Sequence, residues 1–305
     1  MLFRSMTNVA PIIQLGLTPI FCDVNISDFS FDVSELEFIS KKHKDIKLIF
    51  VTHLLGFTSQ SRDNNLLQKL FPKALIIDDV CESHGCKSYD GSKIGSDSLG
   101  ATFSTYFGHH LTSIEGGFVS TNDSKLYDLM KMKRSHGMAR ESVDFGYYAQ
   151  AYPDIDKQFL FVTDGYNFRN TEMHAVLCSS QLKRLDKSIE IRNENYLMFC
   201  KLIKYFDYLF YPIEYTETSS NFCFPFICRD KKIKDKLQKQ FVKYNIEYRP
   251  IISGNLLRQP FLDGYSICTR KRNTNADLIH DNGLYIGNSQ FVGKKNIRLL
   301  EKILE

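Results

Sequence analysis

Three short runs in the first eighty residues restrict the fold more than anything else in the chain: Pro19-Ile-Phe-Cys-Asp-Val24, Ile46-Lys-Leu-Ile-Phe-Val-Thr52 and Ala74-Leu-Ile-Ile-Asp78. Each is short, almost continuously apolar and rich in β-branched side chains. Strands of that kind need cover on both faces, which a parallel sheet flanked by helices provides. Between the second and third runs, Asn64-Asn-Leu-Leu-Gln-Lys-Leu70 puts its apolar residues on one helical face. Strand, helix, strand in that order is the α/β signature, because parallel neighbours must be joined by a crossover. Ala101-Thr-Phe-Ser-Thr-Tyr106 and Gly117-Phe-Val-Ser-Thr121 read as two further strands around a loop. The expectation is an α/β domain with a mostly parallel central sheet.

Further along, Ser124 to Arg134 has a helical pattern with Ser124 as its cap and Leu126, Leu129, Met130 and Met132 as apolar positions. A loop rich in Gly, Tyr, Pro and Asp fills Gly137 to Asn167. Thr171 to about Tyr205 reads as a long helix carrying Ala175, Val176, Leu182 and Leu185 inward. An α+β block follows: a strand at Phe222–Cys228, a helix at Lys231–Tyr244, an extended segment to Ile252 and a terminal helix from Lys294. Residues 1–190 are thus expected as a large α/β domain, and 191–305 as a smaller C-terminal α+β domain.

Composition narrows the function classes. With 39 Lys+Arg against 35 Asp+Glu, the formal charge of +4 over 305 residues is too small to argue for nucleic acid. The basic clusters Lys131-Met-Lys-Arg134 and Thr269-Arg-Lys-Arg272 suit a solvated face or an anion-facing loop. No apolar run reaches membrane-spanning length, and the start of the chain lacks a signal-peptide layout. The eight cysteines include no CxxC pair or metal-finger spacing, and several sit in apolar runs. Buried thiols in a reducing, cytoplasmic setting are expected, with no metal site.

The residues with chemical potential cluster between 76 and 117. Ile76-Ile-Asp78-Asp79 ends a buried strand with two carboxylates, at the end where α/β proteins bind ligands. A charge there needs a cationic partner, since burying it alone is costly. A helix cap, a structural ion pair and a protonated heteroaromatic nitrogen each satisfy that need. Ser104-Thr-Tyr-Phe-Gly-His109-His110-Leu-Thr112 then places hydroxyls and two imidazoles directly after a strand. Imidazole titrates near neutrality and suits proton transfer, although a structural role is also open to each ring. Glu115-Gly-Gly117 adds a turn that passes close to a neighbour. His53, at a strand end, either lines a pocket or is a satisfied structural histidine.

In order and spacing these residues resemble the sugar-nucleotide aminotransferases, fold-type I enzymes that use pyridoxal 5′-phosphate (PLP). The landmarks are Gly16-Leu-Thr-Pro-Ile-Phe-Cys-Asp23, Ile77-Asp-Asp-Val-Cys-Glu-Ser-His-Gly85, Ser104 to Gly117, Gly165-Tyr-Asn-Phe-Arg-Asn-Thr-Glu172 and Gln181-Leu-Lys-Arg-Leu185. The resemblance implies that Asp79 pairs with the pyridine nitrogen, that Glu82 neighbours the ring hydroxyl and that Ser104 holds the phosphate. Asn167 would reach the cofactor of a neighbouring subunit, implying a homodimer in which Arg169 shapes the junction. The family's cofactor-binding lysine corresponds to His109.

That replacement resembles the histidine-containing 3-dehydratase branch, which makes 3,6-dideoxysugars from nucleotide-linked 4-keto-6-deoxysugars. Ile252-Ser-Gly-Asn255-Leu-Leu-Arg258-Gln-Pro260 is similar to a Gly-Asn-Leu-x-Arg-Gln-Pro element of the same branch. The stretch from Phe118 to Asn167 contains no cysteine, which points to the type without an iron–sulfur cluster. The resemblance implies pyridoxamine 5′-phosphate (PMP) as the working cofactor, His109 as base and then acid, and glutamate as amino donor. His110, Asn255 and Arg258 are substrate candidates, as is the basic run Arg270-Lys-Arg272. Family members carry roughly eighty further residues upstream, including a phosphate-cupping turn at a helix start, and place a ring-stacking aromatic near Ser5. Two other readings stay open: a catalytically inactive PLP-fold binding or regulatory protein, and an aminotransferase using another lysine, Lys87 or Lys93.

Overall fold

The computed structural model describes residues 6–59, 64–269 and 274–305. It begins with two helices, α1 (Met6–Gln14) and α2 (Val33–Lys42), then β1 (Leu48–Thr52), α3 (Asn64–Leu70), β2 (Leu75–Asp79), β3 (Gly100–Ser104) and β4 (Gly117–Ser120). These strands form one sheet in the order β1-β2-β3-β4. β1, β2 and β3 run parallel, and β4 returns antiparallel to β3, with Ser104 opposite Gly117. The sheet is therefore mixed and mostly parallel, as its apolar runs require.

The expected strand at Pro19–Val24 is corrected. Ile20 and Val24 make only isolated bridges, to Cys268 and Phe31. Phe21, Cys22 and Val24 are buried, which explains the strand-like sequence. The backbone, however, ties two separated segments together: Phe21 N–H donates to the Cys268 carbonyl, and the Asp23 carboxylate accepts from the Asn275 and Ala276 N–H groups.

After the sheet come α4 (Ser124–Arg134), α5 (Phe145–Ala151) and the 34-residue α6 (Glu172–Tyr205). Asp123, not Ser124, caps α4, its side chain accepting from Leu126 N–H at 2.8 Å. The inward face expected for the start of α6 is also corrected. Leu185 is buried, but Ala175, Val176 and Leu182 are exposed. Only beyond Leu185 does α6 carry a buried stripe, through Arg192, Tyr196, Phe199 and Ile203.

The C-terminal part contains β5 (Cys223–Ile227), α7 (Lys231–Lys243), β6 (Tyr248–Arg249), α8 (Asn275–Asn282), β7 (Gly283–Gly287) and α9 (Lys294–Leu304). Its strands pair antiparallel in the order β5-β7-β6. The extended segment expected up to Ile252 is a strand only at Tyr248–Arg249. α8 and β7 were not evident in the sequence.

Apolar clusters pack around the sheet, the smallest of them, Val80, Cys86, Ile94 and Ala101, beside the ends of β2 and β3. Another packs Phe31, Leu36, Ile39, Val51, Leu67 and Phe71 around β1. The larger core joins Val24, Phe29, Leu55 and Phe57 to Tyr196, Phe199, Phe226 and Phe241. Full burial of one such aromatic side chain contributes on the order of 2 kcal/mol. Residue 190 lies inside α6, so the helix runs from beside the first sheet into the core of the second unit.

Candidate active site

Side chains alternate across a strand, so the adjacent carboxylates ending β2 serve different surroundings. Asp78 accepts from His53 Nε2 at 2.9 Å, with both side chains fully buried. His53 Nδ1 accepts from Ser59 N–H at 3.2 Å, which places the ring proton on Nε2 and makes this pair structural. Asp79, 3% exposed, accepts from Cys81 N–H at 2.9 Å. It lies close enough to His84 and His109 to favour their protonated forms.

The loop between β3 and β4 is shaped by its own backbone. Thr105 N–H donates to the Gly116 carbonyl, Phe107 N–H to Ile114 and His109 N–H to Tyr106. A Cβ on Gly117 would stand 2.7 Å from the Phe103 carbonyl oxygen, so the second glycine of the Glu-Gly-Gly turn permits the close return of β4. Thr105 and Ser113 share a 2.6 Å hydrogen bond across the loop. Gln181 of α6 clamps it from outside, accepting from Thr112 N–H at 3.0 Å and donating to the Thr112 carbonyl.

His109 and His110 diverge from this loop. His110 is buried and contacts the Ser220 carbonyl through Nε2 at 2.6 Å. Ser220 is brought there because its backbone passes against Gly56, where a Cβ would fall 2.1 Å from the Ser220 oxygen. His109 stands edge-on to Tyr106 and Phe222, and its buried Nδ1 has no protein partner. Burial holds His109 below its ordinary value, partly offset by Asp79, so its neutral form is available at pH 7. Burial also lowers His84 to about 4, with the charges of His109 and Arg192 acting in the same direction. His110 is depressed further by burial, then by Arg192 and His84.

A cavity of about 560 Å³ opens beside His109, lined among others by Phe107, Arg192, Phe222, Arg249, Tyr285 and Asn288. Ser104 stands at the end of β3, its Oγ accepting from Tyr106 N–H at 3.2 Å. Glu82 accepts from Leu55 N–H at 2.9 Å. Asn167 is exposed, beside the stacked rings of Tyr166 and Phe168.

Asn255 and Arg258 are not brought to the His109 cavity. Asn255 is buried, donating to Asp277 and accepting from Leu257 N–H. Arg258 makes a 2.7 Å ion pair with Asp281 and a longer one with Asp277. Arg270-Lys-Arg272 and Ser5 lie outside the described residues. Two residues near the site had no role in the sequence reading. Gln181 entered only as the first residue of the Gln181–Leu185 landmark, and nothing local marked Arg192, whose place on the buried stripe of α6 is visible only in the fold. Among the described residues, no three His, Cys, Asp or Glu side chains converge as metal ligands.

A mostly parallel sheet with a buried carboxylate at the end of β2 and an imidazole on the β3–β4 loop fits a PLP-fold enzyme, and comparisons with known proteins show that class. The chain belongs to the DegT/DnrJ/EryC1/StrS aminotransferase family, whose pattern it matches over residues 3–301. It is 31% identical over 306 residues to GDP-4-keto-6-deoxy-D-mannose 3-dehydratase of Yersinia pseudotuberculosis, covering 98% of this chain and 76% of that one. A crystal structure of a histidine-to-asparagine mutant of GDP-4-keto-6-deoxymannose-3-dehydratase with bound GDP-perosamine superposes with a TM-score of 0.89 at 27% identity, covering 100% of this chain and 79% of that one. A second structure of that enzyme, with a trapped PLP-glutamate geminal diamine, gives a TM-score of 0.86 at 27% identity over 100% and 79% of the two chains.

Proposed function

We propose that the protein is a PMP/PLP-dependent 3-dehydratase acting on a nucleotide-linked 4-keto-6-deoxysugar, with His109 as its acid/base. The observation that carries the reading is a neutral imidazole, not a lysine ammonium, on the loop facing Asp79, with its Nδ1 unpartnered. When bound, the cofactor supplies an amine that condenses with the sugar ketone and a ring that withdraws electrons.

Asp79 fits that ring: a nearly buried carboxylate at a strand end holds the pyridine nitrogen protonated. Ser104, at the neighbouring strand end, would donate to the cofactor phosphate, and Glu82 would border the ring hydroxyl. With the cofactor bound, His109 would move a proton from its methylene carbon to the departing C3 hydroxyl oxygen. Imidazole accomplishes this without forming the stable covalent imine available to lysine. In balance, one 4-keto-6-deoxysugar and one glutamate give one 3-deoxy sugar, one 2-oxoglutarate and one ammonia. His110 holds the β3–β4 loop to Ser220, Asn255 and Arg258 are tied to Asp277 and Asp281 of α8, and the reading does not rest on them.

The working unit is a homodimer. The stacked rings of Tyr166 and Phe168 beside Asn167, and Met173, Val176 and Leu182 of the following helix, are exposed apolar side chains, as expected where a second copy packs. Asn167 then reaches the partner's cofactor phosphate. The eight unpaired cysteines suit the cytoplasm. None of the described helices is long and apolar enough to cross a membrane.

The test is ammonia release from GDP-4-keto-6-deoxymannose by the PMP-loaded protein. Release that depends on His109 supports the reading. Saturable PMP binding without ammonia release from any nucleotide-linked 4-keto sugar supports the inactive alternative. A borohydride-trapped PLP adduct on a lysine supports the aminotransferase.

A further inference from the structure

Arg192 is 92% buried by its 8% relative exposure, on the stripe of α6 that otherwise carries Leu185, Tyr196 and Phe199. Its Nε and Nη1 have no protein partner, and Nη2 makes only a 3.5 Å contact with the side-chain oxygen of Gln290. Among the described residues, no carboxylate forms an ion pair with it. A guanidinium in this state carries a desolvation cost of several kcal/mol that nothing nearby offsets. Burial is what lowers Arg192 from its ordinary value, and its charge in turn disfavours protonation of His84 and His110. Arg192 also lines the cavity beside His109, and its backbone carbonyl is pinned by Asn288 Nδ2 at 3.0 Å.

A buried guanidinium that lines a cavity without a carboxylate partner is suited to receive an anion. Within the dehydratase reading, on which this inference rests, two anions qualify: the carboxylate of the amino donor and the diphosphate of the sugar nucleotide. We propose that Arg192 binds the α-carboxylate of the amino donor. Regenerating the amine form of the cofactor requires loss of the proton on the donor's α-carbon, which bears that carboxylate, and His109 lines the same cavity as Arg192. The diphosphate is separated from the reacting ketone by the sugar ring, and its nucleoside requires an open approach. A deeply buried single arginine suits the smaller group.

The test is calorimetric titration of the purified protein with L-glutamate and, separately, with GDP, for wild type, Arg192→Lys and Arg192→Met. The proposal predicts that Arg192→Met weakens glutamate binding by at least about tenfold, the size of a lost charge-assisted hydrogen bond. Arg192→Lys should restore part of it, and GDP affinity should change less than about twofold. Loss of GDP binding with glutamate unaffected would overturn the assignment in favour of the diphosphate. Unchanged binding of both would make Arg192 purely structural and overturn it as well. If Arg192→Met does not fold, the arginine Nε–H resonance of the wild type decides: a shift with glutamate supports the proposal, and no shift overturns it. Failure of the dehydratase reading has a different sign, namely glutamate binding that depends on Arg192 without ammonia release from a 4-keto sugar.

Discussion

At the scale of single residues, three histidines within one cluster perform different tasks because their surroundings differ. His109 borders the cavity and keeps an unpartnered nitrogen, whereas His110 is tied to Ser220 and His84 sits among Phe103, Phe118 and His110. Replacing His109 with Asn should lower the rate of dehydration by about a hundredfold or more, the usual scale of a lost general base, with thermal stability preserved. Rapid-quench kinetics and a melting curve check both halves of that expectation. His84 has a consequence for stability. Its folded value of about 4 lies below the ordinary 6.5, so the unfolded chain binds the extra proton between those values. Its contribution is therefore complete above about pH 6.5 and is lost as pH falls towards 4, amounting to roughly 3 kcal/mol. Urea unfolding at pH 7 and pH 4.5 should show this fall, and His84→Leu should make it smaller. An equally steep fall in the variant would assign the pH dependence to other groups.

At the scale of elements, the site depends on how α6 meets the β3–β4 loop. Gln181 holds Thr112 by two hydrogen bonds, so Gln181→Leu leaves a partly buried N–H and carbonyl without their partner. A loss of about 1–3 kcal/mol in loop stability follows. The expected kinetic result is a lower kcat with little change in KM for the nucleotide sugar. Gln181→Glu keeps the acceptor for Thr112 N–H and should recover part of the rate. No change in kcat for Gln181→Leu would remove the positioning role. These contacts explain what the sequence could and could not disclose. β1 and β2 were legible because buried parallel strands impose continuous apolar runs, and β3 and β4 because their β-branched and aromatic residues flank a loop. So were Asp79 and His109, since a carboxylate at a strand end and an imidazole in the next loop are local signals. The segment at Pro19–Val24 misled because its side chains are buried like those of a strand, while its hydrogen bonds go to Cys268, Asn275 and Ala276. Gln181 and Arg192 were not legible as site residues, because their partners lie far away along the chain. The start of α6 misled for a related reason: its apolar residues face outward, which no helical periodicity can distinguish from a core-facing stripe.

For the whole molecule, the two sheets, the shared core and the exposed apolar face at Tyr166, Phe168 and Val176 define one assembly problem. If a second copy covers that face, Phe168→Asp should shift the protein from dimer to monomer in sedimentation velocity and weaken PMP retention. Asn167→Ala should weaken PMP retention while leaving the dimer intact. A wild-type monomer that binds PMP fully would contradict this arrangement. The chemistry itself turns on His109: an imidazole in place of a lysine ammonium directs it towards loss of the C3 hydroxyl. The most direct test is a single turnover of PMP-loaded protein with GDP-4-keto-6-deoxymannose, counting ammonia for wild type and His109→Lys. The account predicts stoichiometric ammonia from wild type and release slower by on the order of a hundredfold from the lysine variant. Equal rates of ammonia release from the two proteins would contradict it.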